Sequence, residues 1–181
     1  AAQNINRMKA PFHAAIFTLS SHHPYFVPDK YKGKFKSTPL ENSASIGYAD
    51  YALRKFFETA KKMPWYNNTL FVLTADHTGI SEDPFFTNEV GLSSIPIAFF
   101  APADTALKGV YAQSFSQIDI LPSVLDYLHY NKAFFAFGNS MNEKQAGFDY
   151  MYAGVVAHDL SDSTVYFHIN GECNSAFNYK R

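Results

Sequence analysis

Cysteine is almost absent. The single Cys173 in 181 residues excludes an internal disulfide, so cysteine usage does not identify a redox compartment. Long apolar runs are also missing: none approaches the 18 or more apolar residues of a membrane span, and no basic-then-apolar leader opens the chain. Charge is balanced as well as sparse. With 15 Lys and Arg against 16 Asp and Glu, the net charge of −1 creates no field that would gather nucleic acid. An anionic substrate would have to be held by local groups or by a metal. No internal repeat or low-complexity tract is evident. What the chain does have is apolar material, 47% of residues with 18 Phe and 12 Tyr, which excludes disorder and suffices for the core of one domain. It begins Ala1-Ala2-Gln3 without a methionine and turns apolar by about residue 13, so we expect an excised piece of something longer.

Residues 69–79 organise the rest. Leu70, Phe71, Val72 and Leu73 form an apolar run suited to a strand buried on both faces, and the run stops at Asp76-His77. Neighbouring side chains on a strand point to opposite faces, so this pair can share a ligand only where the chain turns, and Thr78-Gly79 supplies a turn. In an open α/β sheet, ligands bind beyond the carboxyl ends of the strands, which is the place this pair would take. A carboxylate oxygen with an imidazole nitrogen suits zinc or manganese, but two ligands do not make a site. Taken alone, the dipeptide reads more readily as a turn Asp bonded to nearby backbone with a surface His beside it.

The same grammar occurs earlier. Phe12 to Ser21 reads as a buried strand running into His22-His23-Pro24-Tyr25. Two strands of one parallel sheet would bring His22 and the Asp76-His77 pair to a common edge. Between them, Lys30, Lys32, Lys34 and Lys36 alternate; an extended segment would present all four on one side, toward a phosphate or an anionic lipid surface, whereas a solvated loop is the plain alternative. From Ser43 or Ser45 to Met63, the spacing of Ile46, Ala49, Leu53, Phe56, Phe57 and Ala60 predicts an amphipathic helix, stopped by Pro64. Asn67-Asn68-Thr69 is turn chemistry rather than a glycosylation signal. The acidic, Phe-containing segment 81–92 is a loop that either walls a pocket or lies on the surface, and Ile95 to Pro102 is a third buried strand. A second helix is expected over Ser116 to Tyr130, with Ile118, Leu121, Leu125 and Leu128 inward. Asp119 caps its start, which would place Pro122 in the first turn. Ala133 to Phe137, Tyr152 to Ala157 and Val165 to Ile169 suggest an appended antiparallel sheet.

Four ordered motifs carry a resemblance: Thr18-Leu19-Ser20-Ser21-His22-His23-Pro24-Tyr25, Gly47-Tyr48-Ala49-Asp50, Asn68 to His77, and Ser116-Gln117-Ile118-Asp119-Ile120-Leu121-Pro122-Ser123. Across about residues 10–140 the chain resembles the C-terminal half of the sulfatase family. The branch it looks most like includes lipoteichoic acid synthase and related phosphoglycerol transferases, within the alkaline phosphatase superfamily. The resemblance implies an α/β fold, a mostly parallel sheet flanked by helices, with a small C-terminal antiparallel sheet. Residues 1–130 would be the C-terminal half of the catalytic domain and residues 131–181 a β extension of it.

The resemblance also implies a divalent cation, manganese or zinc, held by Asp76 and His77, and a substrate phosphate met by His22, with His23 able to exchange roles with it. The nucleophile and an acidic ligand would lie upstream of residue 1, so the chain carries no catalytic residue of its own. Thr74 and Thr78 match no nucleophile motif, and Cys173-Asn174-Ser175-Ala176 is not the Cys-x-Pro-x-Arg of formylglycine sulfatases. His13 is expected to be a core residue, and His129, His158 and His168 have no ligand spacing. The function implied is part of a metal-dependent phosphoryl- or sulfuryl-transfer enzyme, inactive alone. It would act on phosphoglycerol lipid, polymer or sulfated-glycan esters at the extracytoplasmic face of a bacterial membrane or in the periplasm, anchored through segments outside this chain. A sulfate or phosphate monoester hydrolase, or a non-catalytic module binding glycan or headgroup, would account for the same residues.

Overall fold

The structure is a computed structural model and describes residues 1–111, 115–143, 148–151, 155–160, 164–169 and 172–178. Among the described residues the helices and strands follow in the order α1 (Ala2–Ile5), α2 (Ser43–Ala60), β1 (Phe71–Thr74), α3 (Glu89–Ser93), β2 (Ile97–Phe100), α4 (Ile120–Tyr127), β3 (Phe148–Met151), β4 (Val155–Leu160), β5 (Thr164–Ile169) and β6 (Glu172–Asn178). Strands β1 and β2 pair with each other, and β3-β4-β5-β6 form an antiparallel meander. The chain packs as two units. The first holds residues 1–72, 79–83 and 99–107, the second residues 73–78, 84–98 and 108–181.

In the first unit, helix α2 starts at Ser43 as its periodicity predicts and ends at Ala60, three residues short of the expected Met63. Its C-terminal half packs on the hydrophobic cluster. Ala60 is fully buried beside Ala2 and Tyr66, while Phe56, Phe57, Trp65 and Phe71 close around them. Ring centroids lie 5.2 Å apart for Phe57 and Phe71 and 5.8 Å for Phe71 and Phe100, so aromatic contacts bind the end of α2 to the strand region. Near the start of α2, Tyr48 and Tyr51 receive Tyr31 and Phe35 from the preceding loop. The lysine alternation does not form a common face, because Asp29–Tyr31 is a 3-10 turn rather than extended chain. Lys32 pairs with Asp29, and the Lys34 ammonium sits 3.9 Å from the Tyr51 ring centroid.

The expected first strand is corrected. Residues 12–19 form no strand, and Ile16, Phe17 and Leu19 are 53%, 74% and 66% exposed. A strand exists only through bonds to a neighbour, and among the described residues none lies alongside this run. His13 is likewise exposed, not a core histidine. The strand β1 is half-buried, not buried on both faces. Segment 133–137 is no strand either, and Phe135 and Phe137 stand in solvent. The antiparallel sheet does appear. Tyr152 and Gly171 fall outside the described residues.

In the second unit, α4 also departs from expectation. Its first three residues are Ile120, Leu121 and Pro122, so the proline sits in the first turn, where a missing N–H costs nothing. Yet Leu121 and Leu128 are 52% and 61% exposed, while Pro122 and Ser123 are buried. Ile118 and Leu125 are half-buried as expected, and the bonds to the neighbouring segment come from a polar row whose last member, Asp126, is itself exposed. Asp119, Ser123 and Asp126 recur at helical spacing and bind the segment 138–142: Asp119 Oδ1 accepts from Asn139 N, Ser123 Oγ from Met141 N, and Asp126 Oδ2 from Ser140 Oγ and Asn142 Nδ2.

The hydrogen bonds from Ser140 and Asn142 hold the Asp126 carboxyl below the usual carboxylate range, with His129 adding a smaller pull. A carboxylate depressed in the folded state adds stability that is full above its unfolded value of about 3.9 and is lost as pH falls through the folded value. Asp126→Asn is therefore expected to flatten the urea midpoint between about pH 4 and pH 2 relative to wild type. An unchanged acid limb would remove this role. Among the described residues, no helix is long and apolar enough to cross a membrane.

Candidate metal centre

The chain leaves β1 at Thr74 and turns at once. Gln117 Nε2 donates to the Ala75 carbonyl at 2.6 Å. Asp76 Oδ1 accepts from His77 N at 3.0 Å, which fixes the carboxylate against its own backbone and leaves Oδ2 free of that bond. His77 Nδ1 lies 2.6 Å from the Thr78 carbonyl oxygen. A carbonyl can only accept, so the bond requires Nδ1 to carry a proton, which in the neutral ring leaves the Nε2 lone pair available. That atom lies 3.6 Å from Asp76 Oδ2.

Two ligand atoms held about 2.1 Å from one cation at a tetrahedral angle lie about 3.4 Å apart. The observed separation therefore fits a shared divalent ion, and the Nδ1–H bond to backbone is the outer support that metal-binding imidazoles commonly carry. Asp76 and His77 are 61% and 68% exposed, so their mutual attraction adds little to stability. No group of three or more His, Cys, Asp and Glu that could hold a metal ion occurs among the described residues. The pair is thus at most part of a coordination shell.

The far end of the turn is tied down by Thr78, whose Oγ1 and N both donate to the Leu92 carbonyl, at 2.8 and 3.4 Å. Leu92 belongs to α3, which Asn88 caps by accepting from Gly91 N. A side chain at position 91 would overlap the Phe85 carbonyl, so only glycine lets α3 approach this closely. The segment expected to be a loop, 81–92, thus holds a 3-10 turn at Pro84–Thr87 and most of α3. Thr74 Oγ1 donates to the Ala75 carbonyl and Thr78 Oγ1 to that of Leu92, so both hydroxyls act on local backbone.

His22 and His23 belong to the first unit, in two consecutive tight turns closed by His22 N to Leu19 O and Tyr25 N to His22 O. His22 Nδ1 lies 2.8 Å from the His23 carbonyl, the His23 ring contacts Tyr25, and Tyr25 adopts φ of 57°. Both histidines are exposed. Asp119 is structural: 6% exposed, it completes a capping box with Ser116 over the 3-10 turn Gln117–Asp119. The residue that motif reading left without a role is Gln117. Its sequence signal was its place two residues before the expected cap Asp119.

The fold is that of the alkaline phosphatase superfamily: a crystal structure of a superfamily protein from Vibrio parahaemolyticus superposes with a TM-score of 0.68 over 98% of this chain and 43% of that one, at 21% identity. The sulfatase family model matches residues 1–130, and the chain belongs to the sulfatase family. Relatives include lipoteichoic acid synthase 1 of Bacillus subtilis, 32% identical over 84 residues, covering 44% of this chain and 13% of that protein. Lipoteichoic acid synthase of Staphylococcus aureus is 26% identical over 134 residues, covering 66% and 21%. The chain thus spans about a fifth or less of the length of these relatives.

Proposed function

We propose that this chain is the C-terminal portion of a metal-dependent enzyme that transfers a phosphoryl or sulfuryl group from an anionic ester, and that it does not turn over alone. The carrying observation is the turn at residues 75–78, where Asp76 Oδ2 and His77 Nε2 converge to 3.6 Å with the imidazole tautomer set for ligation. A divalent ion bound there would neutralise charge building on the transferred group. Asp76 and His77 would hold it. His22, with His23 as its alternative, would donate to the substrate's non-bridging oxygens, and their exposure leaves them accessible for this.

The nucleophile and remaining ligands come from polypeptide outside this chain in this reading. Residues 1–130 serve as half of the catalytic domain and residues 131–181 as its β extension. Because both curated relatives are named lipoteichoic acid synthases, the substrate class favoured is a phosphoglycerol-bearing lipid or polymer, met at the extracytoplasmic face of a bacterial membrane.

The test uses the full-length protein and the isolated 181 residues side by side. Full-length protein stripped with a chelator is expected to lose phosphodiester turnover and to regain it with added manganese or zinc. The isolated chain is expected to be inactive under every condition. Turnover that survives chelation removes the metal role, and metal-dependent turnover by the isolated chain refutes the claim that it lacks its nucleophile.

A further inference from the structure

We propose that Gln117 is a positioning residue for the Asp76-His77 pair, holding the strand exit from which both ligand atoms project. The inference rests on the metal role proposed above.

Its basis is the planarity of the peptide group. The Ala75 carbonyl and the Asp76 N–H lie in one rigid plane, so a bond that fixes the carbonyl also fixes the axis about which Asp76 turns. The Gln117 amide makes that bond at 2.6 Å, from 42 residues away in sequence. Downstream, the next fixed point is Thr78, bonded twice to the Leu92 carbonyl. Asp76 and His77 are therefore the two residues suspended between an upstream and a downstream anchor. Within that span the remaining freedom is taken up by local bonds, His77 N to Asp76 Oδ1 and His77 Nδ1 to Thr78 O.

The anchor has a rigid base. Gln117 opens the 3-10 turn Gln117–Asp119, whose capping box is formed by Ser116 and Asp119. Asp119 is buried and binds Ser116 N and Asn139 N through separate oxygens. Gln117 itself is exposed. Its removal therefore leaves no cavity and costs one neutral hydrogen bond, while a misplaced ligand pair is sensitive to a fraction of an ångström. Loss of Gln117 should consequently appear in metal binding more than in folding.

The test compares wild type with Gln117→Ala, Gln117→Glu and Gln117→Lys in the full-length protein. Zn²⁺ affinity is measured by competition with a chromophoric chelator, together with the thermal midpoint. The ring nitrogens of His77 are followed by NMR in the metal-free protein. Gln117→Ala is expected to weaken Zn²⁺ binding about 10-fold or more, in the range for loss of a group supporting a ligand. Gln117→Glu should be worse, because it sets an acceptor against the Ala75 carbonyl. Gln117→Lys, which restores a donor, should recover most of the affinity. The midpoints should stay together, and the protonated Nδ1 signature of His77 should weaken in Ala and Glu only.

Equal affinities across the series, or losses that merely track the thermal midpoint, would overturn the inference. If wild type takes up no Zn²⁺, the metal reading itself fails. The NMR arm then decides separately whether Gln117 sets His77, and an unchanged signature in Gln117→Ala rejects it.

Discussion

Asp76→Ala and His77→Ala are each expected to lower the divalent-metal affinity of the full-length protein by more than about 100-fold, beyond what loss of a supporting outer group costs. Turnover should vanish with the metal. The two losses arise differently. His77→Ala removes the nitrogen whose lone pair the Thr78 carbonyl has exposed, and leaves the Asp76 carboxylate in place. Asp76→Ala removes the proposed ligand oxygen and also the acceptor of the His77 N–H, so it frees the turn as well. Asp76→Asn keeps an acceptor for that N–H while losing the charge, and its metal affinity should fall between those of wild type and Asp76→Ala. Both side chains are well exposed, so unfolding free energies should stay within about 0.5 kcal/mol of wild type. Metal analysis after equilibrium dialysis checks the prediction. The same metal content in Asp76→Ala, His77→Ala and wild type would remove the pair from the site.

The second large effect is on stability. Gly138→Ala is expected to destabilise the protein by about 3 kcal/mol, because its Cβ would overlap the Ile118 carbonyl and Asp119 Oδ1, and backbone cannot yield as a flexible side chain does. For a protein of this size that is a fall of about 6–12 °C in the thermal midpoint. Asp119→Ala should cost about as much by another route, leaving the N–H groups of Ser116 and Asn139 without their carboxylate. Both changes break the same junction between the 3-10 turn and segment 138–142, so the double variant should lose clearly less than the sum. Strict additivity in denaturant unfolding would show that the two residues act in separate places.

Much of the local structure was legible because it depends on residues close in sequence. The three- and four-residue apolar spacing of α2 was enough to place Ser43–Ala60, and the apolar runs placed β1 and β2. Asp119 was expected to cap α4, but its side chain makes no cap bond to that helix and is instead the third residue of a capping box opened by Ser116. The failures share a cause. Residues 12–19 have the composition of a strand, but a strand needs a partner that composition does not supply. In α4, reading Leu121 and Leu128 as inward missed that Ser123 and Asp126 meet backbone and side-chain donors of segment 138–142, which satisfy them.

The sequence by itself determined that a carboxylate and an imidazole follow β1 directly and that the chain can turn there, since covalent adjacency and strand geometry require no distant contact. Only the tertiary structure decided which ring nitrogen stays free and what anchors the turn. Those outcomes depend on donors such as the Gln117 amide and acceptors such as the Leu92 carbonyl, groups that can bond almost anywhere until folding selects a partner.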